Sequence, residues 1–172
     1  MHWAWGNGWA SPFRSSLRQE LLAGCGVVDF AGSGVIHMAG GSVALVMSIL
    51  LGPRDGRFTV MFDYPVYANV FQSIGTLMIW FGWFGIIIIA AQSVQSENQW
   101  GYVTARALST ASVSAAASCI TSVMLGHFIN GHISTTLGNN GALSGLVAIS
   151  AACATCSVGG AFVIGRCRYD LI

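Results

Sequence analysis

Long apolar stretches alternate with short polar breaks along this chain. No Asp, Glu, Lys or Arg occurs at positions 30–53, 64–96 or 107–165. A helix rises about 1.5 Å per residue and the hydrocarbon core of a bilayer is about 30 Å thick, so about 20 apolar residues cross it. The first two stretches each predict one crossing, over about 21–51 and 70–91. Gly52-Pro53 ends the first cleanly. The third has room for two, 103–128 and 141–156, with Asn130-Gly131-His132 followed by Gly138-Asn139-Asn140 as the polar turn between them. Residues 141–165 read either as one tilted crossing or as a helix ending near Cys156 with another starting at Gly159-Gly160, and periodicity does not choose. The second option adds a truncated fifth span over 159–172. The expected fold class is all-α, a polytopic transmembrane helix bundle, and residues 1–172 read as a single domain.

Composition agrees with this reading. Of 172 residues, 54% are hydrophobic and 8% charged, with seven Arg, no Lys and six acidic groups, against roughly 25% charged in soluble domains. That excludes an ordinary water-soluble domain, and the apolarity excludes a disordered one. A net charge of +1 without any basic run excludes nucleic-acid partners. The opening residues, with Trp3, Trp5 and Trp9, are aromatic and polar and lack the apolar core of a signal peptide, which leaves open whether Met1 is the natural start of the fold. The three Trp suit an interfacial belt, or part of a vestibule. Arginine placement does not fix orientation: four spans put Arg14, Arg18, Arg106, Arg166 and Arg168 on one side against Arg54 and Arg57, whereas a fifth span nearly evens the count.

Small residues carry the packing expectations. The third span is dominated by Ala, Ser, Thr and Val, and the fourth opens on Gly141-x-x-x-Gly145, both of which let helix backbones approach closely in lipid. Gly82 and Gly85 alternate with Trp80, Trp83 and Phe84 in the second. Cys153 and Cys156 form a lone C-x-x-C with no second pair or suitable His, so they read as small interface fillers, and no metal site and no cofactor are expected. His127 and His132 read as solvated or interfacial.

Two polar groups in the first span are candidates for chemistry. Asp29 is costly near the bilayer centre and so is expected near a helix end or beside a partner. It reads either as a structural cap over the glycine-rich turn or as an acidic group ordering an entrance. His37, eight residues on, lies about 12 Å further along a continuous helix and on a neighbouring face. A neutral imidazole donates and accepts hydrogen bonds and exchanges a proton near neutral pH. Gly32, Gly34, Gly40 and Gly41 clear space beside it, for another helix or for a narrow conduit.

Beyond these residue-level readings, DFAGSGVIHMAGG, then LGPRDGRF, IWFGWFG and NNGALSGLVAISAACA occur in an order that resembles the signature series of the ammonium transporter (Amt/Mep/Rh) family. The resemblance covers nearly the whole chain. It implies an eleven-helix membrane protein, trimeric with one pore per subunit, built from two inverted five-helix repeats. This chain would run from just before the fifth helix into the ninth. His37 matches the first of two pore histidines, Asp29 the acidic residue supporting an outer ammonium recruitment site, Trp5 of WGNGW the vestibule tryptophan, and Trp83 a pore-lining residue beside the histidine.

Departures are also visible. Ile86 stands where the family's gating Phe is expected, Ala90 where a Ser would hydrogen-bond the ion, and Ala151 where a kinking Pro is common. Weaker cation recruitment is expected, and the kink is put in question. The resemblance places the amino-terminal segment outside and the 52–57 loop in the cytoplasm. The function it implies is ammonium or ammonia transport across a membrane, expected to be the plasma membrane, in a homotrimer or a trimer with full-length homologues. The alternative is a non-conducting, truncated relative acting as a membrane-packing or interaction subunit. A membrane enzyme is disfavoured, because no nucleophile and base stand at useful spacing.

Overall fold

The structure, a computed structural model, describes residues 29–53, 67–94 and 100–167. A π-helical segment, Ser33–Met38, runs directly into α1, Ala39–Leu51. It is followed by α2 (Tyr67–Val94), α3 (Trp100–Asn130), α4 (Thr135–Ile149) and α5 (Val158–Cys167), and no strand occurs among the described residues. Among the described residues, three helical stretches are long and apolar enough to cross a membrane: Ser33–Leu51, Ala68–Gln92 and Trp100–Asn130.

Helix α3 is the spine. Thr104, Ala107, Thr110, Ala111, Ser114, Ala115, Ser118, Ser122 and Gly126 are buried, and they recur every three or four residues, so they form one face. That face lies along α4 and α5. With so little side-chain volume there, van der Waals packing between backbones has to supply the association, as it does between helices in lipid. A Cβ on Gly145 would stand 2.8 Å from Ser118 Cβ and 2.9 Å from Ala115 Cα, and one on Gly165 would meet the Ser114 backbone. The Gly141-x-x-x-Gly145 pair is therefore a packing contact, as its spacing suggested.

In contrast, α1 buries none of its residues, and α2 leaves Phe71, Leu77, Met78, Phe81 and Ile89 exposed. Such faces are suited to lipid or to further apolar helices rather than to water.

Helix boundaries differ from the sequence reading at three places. Residues 29–32 are not helical, so the helical run that carries His37 starts at Ser33, and positions 21–28 of the expected span lie outside the described residues. Asp29 and His37 thus do not share one continuous helix. Gly138-Asn139-Asn140 is not a turn: it lies inside α4, and the turn is 131–134. Polar contacts across the interface explain this, because Asn139 Nδ2 donates to Ser73 Oγ at 3.0 Å and Thr136 Oγ1 donates to Gln72 Oε1 at 3.0 Å. Gly138 packs with Val123 Cγ2 3.0 Å from where its Cβ would be.

Finally, α4 stops at Ile149 instead of continuing to Cys156, although Ala151 is not proline. Carbonyls at and beyond the break accept from outside the helix: Ser33 Oγ donates to Val147 O at 2.7 Å, Ala31 N to Ser150 O at 2.9 Å, Phe30 N to Ala151 O at 3.1 Å and Thr110 Oγ1 to Cys153 O at 2.7 Å. Arg106 closes the far end, its Nη2 donating to Cys156 O at 3.0 Å and Thr155 O at 3.2 Å. A break at this position thus exists without the residue that commonly makes it.

Candidate functional site

The site is assembled where the start of the π-helical segment Ser33–Met38 meets α2 and the end of α4. Gly32 has φ 89°, a left-handed conformation that favours glycine, and it turns the chain into the π-helical segment. The first helical N–H groups of such a turn lack intrahelical acceptors. Asp29 supplies them. Its Oδ1 accepts from Gly32 N at 3.0 Å and Ser33 N at 2.7 Å, and its Oδ2 from Gly34 N and Val35 N, both at 2.9 Å. A carboxylate at a helix N-terminus also meets the positive end of the macrodipole, so a 3%-exposed acidic residue is accommodated there. The capping reading of Asp29 matches this geometry.

The same segment is tied to α4. Ser33 Oγ donates to Val147 O at 2.7 Å, beside the Ala31 and Phe30 bonds to the 150–151 carbonyls. His37 follows within the π-helical turn, whose wider winding is marked by His37 N reaching Gly32 O at 3.3 Å. π-Helical turns are rare and occur frequently at functional sites, because one extra residue per turn re-aims side chains.

His37 meets Trp83. The two rings are stacked, with centroids 4.4 Å apart and planes 14° from parallel. Trp83 is 7% exposed, and its Nε1 donates to Ser150 Oγ at 2.9 Å, which in turn donates to Leu146 O at 2.7 Å. Trp83 belongs to a buried apolar cluster with Phe30, Ala31, Ile87, Leu146 and Ile149. Ile87 is completely buried, and Ala90 is buried one turn further along. The result is an imidazole with one face on an indole, held at the junction of three elements in apolar surroundings.

Of the residues singled out from sequence, the structure brings His37 and Trp83 into contact and places Asp29 at the entry to the same segment, while Trp5 lies outside the described residues. Ser33, Arg106 and Ser150 were not singled out as site residues, and nothing in the sequence marks them: Ser33 and Ser150 resemble any other small residue of an apolar helix, and Arg106 entered only in the charge count. Cys119 and Cys156 are half-buried and Cys153 is buried, all as free thiols. No group of His, Cys, Asp and Glu among the described residues is arranged to hold a metal ion.

Apolar helices of membrane-spanning length, joined by backbone contacts of small residues and enclosing a stacked imidazole–indole pair, define a helical integral membrane protein. Comparison with known proteins identifies which kind. The sequence profile of the Ammonium Transporter Family matches residues 1–167, and the chain belongs to that family. It is 38% identical over 167 residues to the ammonium transporter Amt2 of Archaeoglobus fulgidus, covering 95% of this chain and 34% of that one. It is 36% identical over 179 residues to ammonium transporter 1 member 3 of Solanum lycopersicum, covering 96% and 37%. The crystal structure of Candida albicans Mep2 superposes with a TM-score of 0.69 at 27% identity, over 86% of this chain and 32% of that one. The chain spans about a third of the length of the curated relatives it matches.

Proposed function

We propose that this polypeptide forms part of an ammonium- or ammonia-conducting membrane protein, and that His37 and Trp83 line the path of the permeating species. Ammonium entering hydrocarbon faces a large solvation penalty, so a pore must replace its water with π faces and hydrogen bonds or remove its proton. Trp5 would recruit the cation at an outer vestibule, where an aromatic face contributes about 0.5–2 kcal/mol of cation–π attraction. Asp29, through the four N–H groups it holds, would fix the segment at that entrance. His37 would then accept or relay the nitrogenous guest. Isoleucine at 86 and alanine at 90 offer it neither an aromatic face nor a hydroxyl, so recruitment would rest more heavily on the tryptophans.

The single observation that carries this reading is the stack of His37 on Trp83, among residues that the Ammonium Transporter Family profile matches. The orientation that goes with it puts residues preceding Asp29 outside and the 52–57 loop in the cytoplasm of the plasma membrane, in a trimer of like subunits. Uptake of labelled methylammonium into vesicles bearing the full-length protein tests it. The wild type should take up the label and His37→Ala should change the rate, whereas equal rates would remove His37 from the path.

A second reading has one observation in its favour. The unburied α1 and the exposed face of α2 fit a chain that docks against other membrane helices, and such a subunit would bind a full-length homologue without conducting. Co-purification without methylammonium flux would support it over the first.

A further inference from the structure

Ser150 is the point at which both walls of the aromatic site are fastened. Its hydroxyl accepts from Trp83 Nε1 at 2.9 Å while donating to Leu146 O at 2.7 Å. Its carbonyl accepts from Ala31 N at 2.9 Å, in the turn leading into the segment that carries His37. One fully buried residue therefore holds the indole by its side chain and the approach to the imidazole by its backbone. The two duties are separable, because a substitution at 150 deletes the first and leaves the second.

We infer that Ser150 is a positioning residue for His37, acting through Trp83. This rests on the reading of His37 as a group on the ammonium path. A flat ring touching another by its face is held at the right distance by packing but is free to slide and turn in its plane. The hydrogen bond at Nε1 removes that freedom. With it, the indole presents one fixed face, and the imidazole stacked on that face keeps its edge nitrogens aimed in one direction. Without it, a buried indole N–H is left unpaired in apolar surroundings, which is costly enough that the ring turns toward another acceptor. The stack, at 4.4 Å and 14°, is then lost or re-aimed. Serine suits the position because its single hydroxyl can give its proton to the carbonyl one turn back and still offer a lone pair to the indole. Alanine supports the helix end but not the indole. The permeant concerned is a small ammonium-type cation or its amine, whose hydrogen bonding to an edge nitrogen depends on that aim.

The test reads the site directly, separately from transport. In lipid nanodiscs containing the full-length protein with labelled Trp and His, the Trp83 indole N–H resonance is assigned by Trp83→Phe and the His37 ring resonances by His37→Gln. Ser150→Ala should move the Trp83 N–H upfield and abolish the ring-current shift of His37, and Ser150→Thr, which keeps a hydroxyl, should restore both. In a Trp83→Phe background Ser150→Ala should leave His37 unmoved. Methylammonium uptake by Ser150→Ala should fall about 3- to 10-fold in kcat/KM, the range expected for one lost hydrogen bond, with rescue by threonine. Should Ser150→Ala not fold, Ser150→Cys, a weaker donor and acceptor, should give displacements in the same direction but smaller. Resonances of Trp83 and His37 that stay in place in the alanine and cysteine variants would overturn the inference, as would equal displacement by alanine and threonine. If uptake is indifferent to His37→Ala, the path reading fails, while the resonances still report whether Ser150 positions the pair.

Discussion

The imidazole of His37 lies flat on the indole of Trp83, centroids 4.4 Å apart, although the two residues belong to separate helices. The contact orders both rings. It also predicts which changes the site tolerates. Replacing Trp83 by alanine empties a nearly closed space and should lower stability by about 3–5 kcal/mol. Phenylalanine keeps an aromatic face and should cost less. Thermal unfolding in detergent, followed by loss of helical circular dichroism, should therefore rank wild type above Trp83→Phe and Trp83→Phe above Trp83→Ala.

Asp29 gathers four backbone N–H groups on one carboxylate. In Asp29→Asn one of the two oxygens becomes an amide nitrogen, which leaves a pair of those N–H groups without their acceptor. A loss of about 1–3 kcal/mol is expected from stranded buried donors. Hydrogen exchange should locate the damage: the amides of Gly32 to Val35 should exchange faster in Asp29→Asn, and those in the middle of α3 should not change.

Glycines in this fold fall into two groups that a helix-propensity argument treats alike. Gly145 faces the Ser114–Ser118 stretch of α3, whereas a Cβ on Gly75 would meet nothing within 4 Å. Gly145→Ala should force the helices apart and cost about 1–3 kcal/mol, as overpacking generally does. Gly75→Ala should be neutral or stabilising by about 0.5–1 kcal/mol, through helix propensity. Melting temperatures of the two variants, measured side by side, check the contrast.

How much of this was legible in the sequence follows from what kind of force makes each feature. Apolar length is a local property, so the membrane-spanning stretches within 33–51, 68–92 and 100–130 are visible as uncharged runs. Family kinship was equally visible in the ordered motifs, and the Ammonium Transporter Family match over residues 1–167 agrees with it. The end of α4 is a different case. It coincides with donors from residues 30, 31 and 110 that are distant in sequence, and nothing at 149–151 announces it. Likewise, Gly138-Asn139-Asn140 carries the composition of a turn but stays helical because Ser73 accepts from the Asn139 amide. Asp29 had two readings that composition could not separate, and its four N–H donors, which fit the cap, are invisible in the sequence. Among the site residues, His37 stood out as an imidazole flanked by glycines in an apolar run, while the serine holding its neighbour was one small residue among many.

Arg106 holds the turn after α4 by three hydrogen bonds to the carbonyls of Thr155 and Cys156. Arg106→Ala should free that turn, and in a variant retaining Cys156 as its sole cysteine, the reaction of this half-buried thiol with a water-soluble maleimide should accelerate several-fold. Lysine, which lacks the planar fork, should restore only part of the protection.

Conduction along the proposed path requires His37 to meet the permeating nitrogen compound. The most direct measurement is the 15N spectrum of the His37 imidazole in the full-length protein in bilayers, recorded while ammonium is titrated against a sodium control at constant ionic strength. A saturable displacement of the His37 ring nitrogens by ammonium, absent with sodium, is the predicted result. Ring nitrogens that remain in place at concentrations sufficient to saturate methylammonium uptake would contradict it.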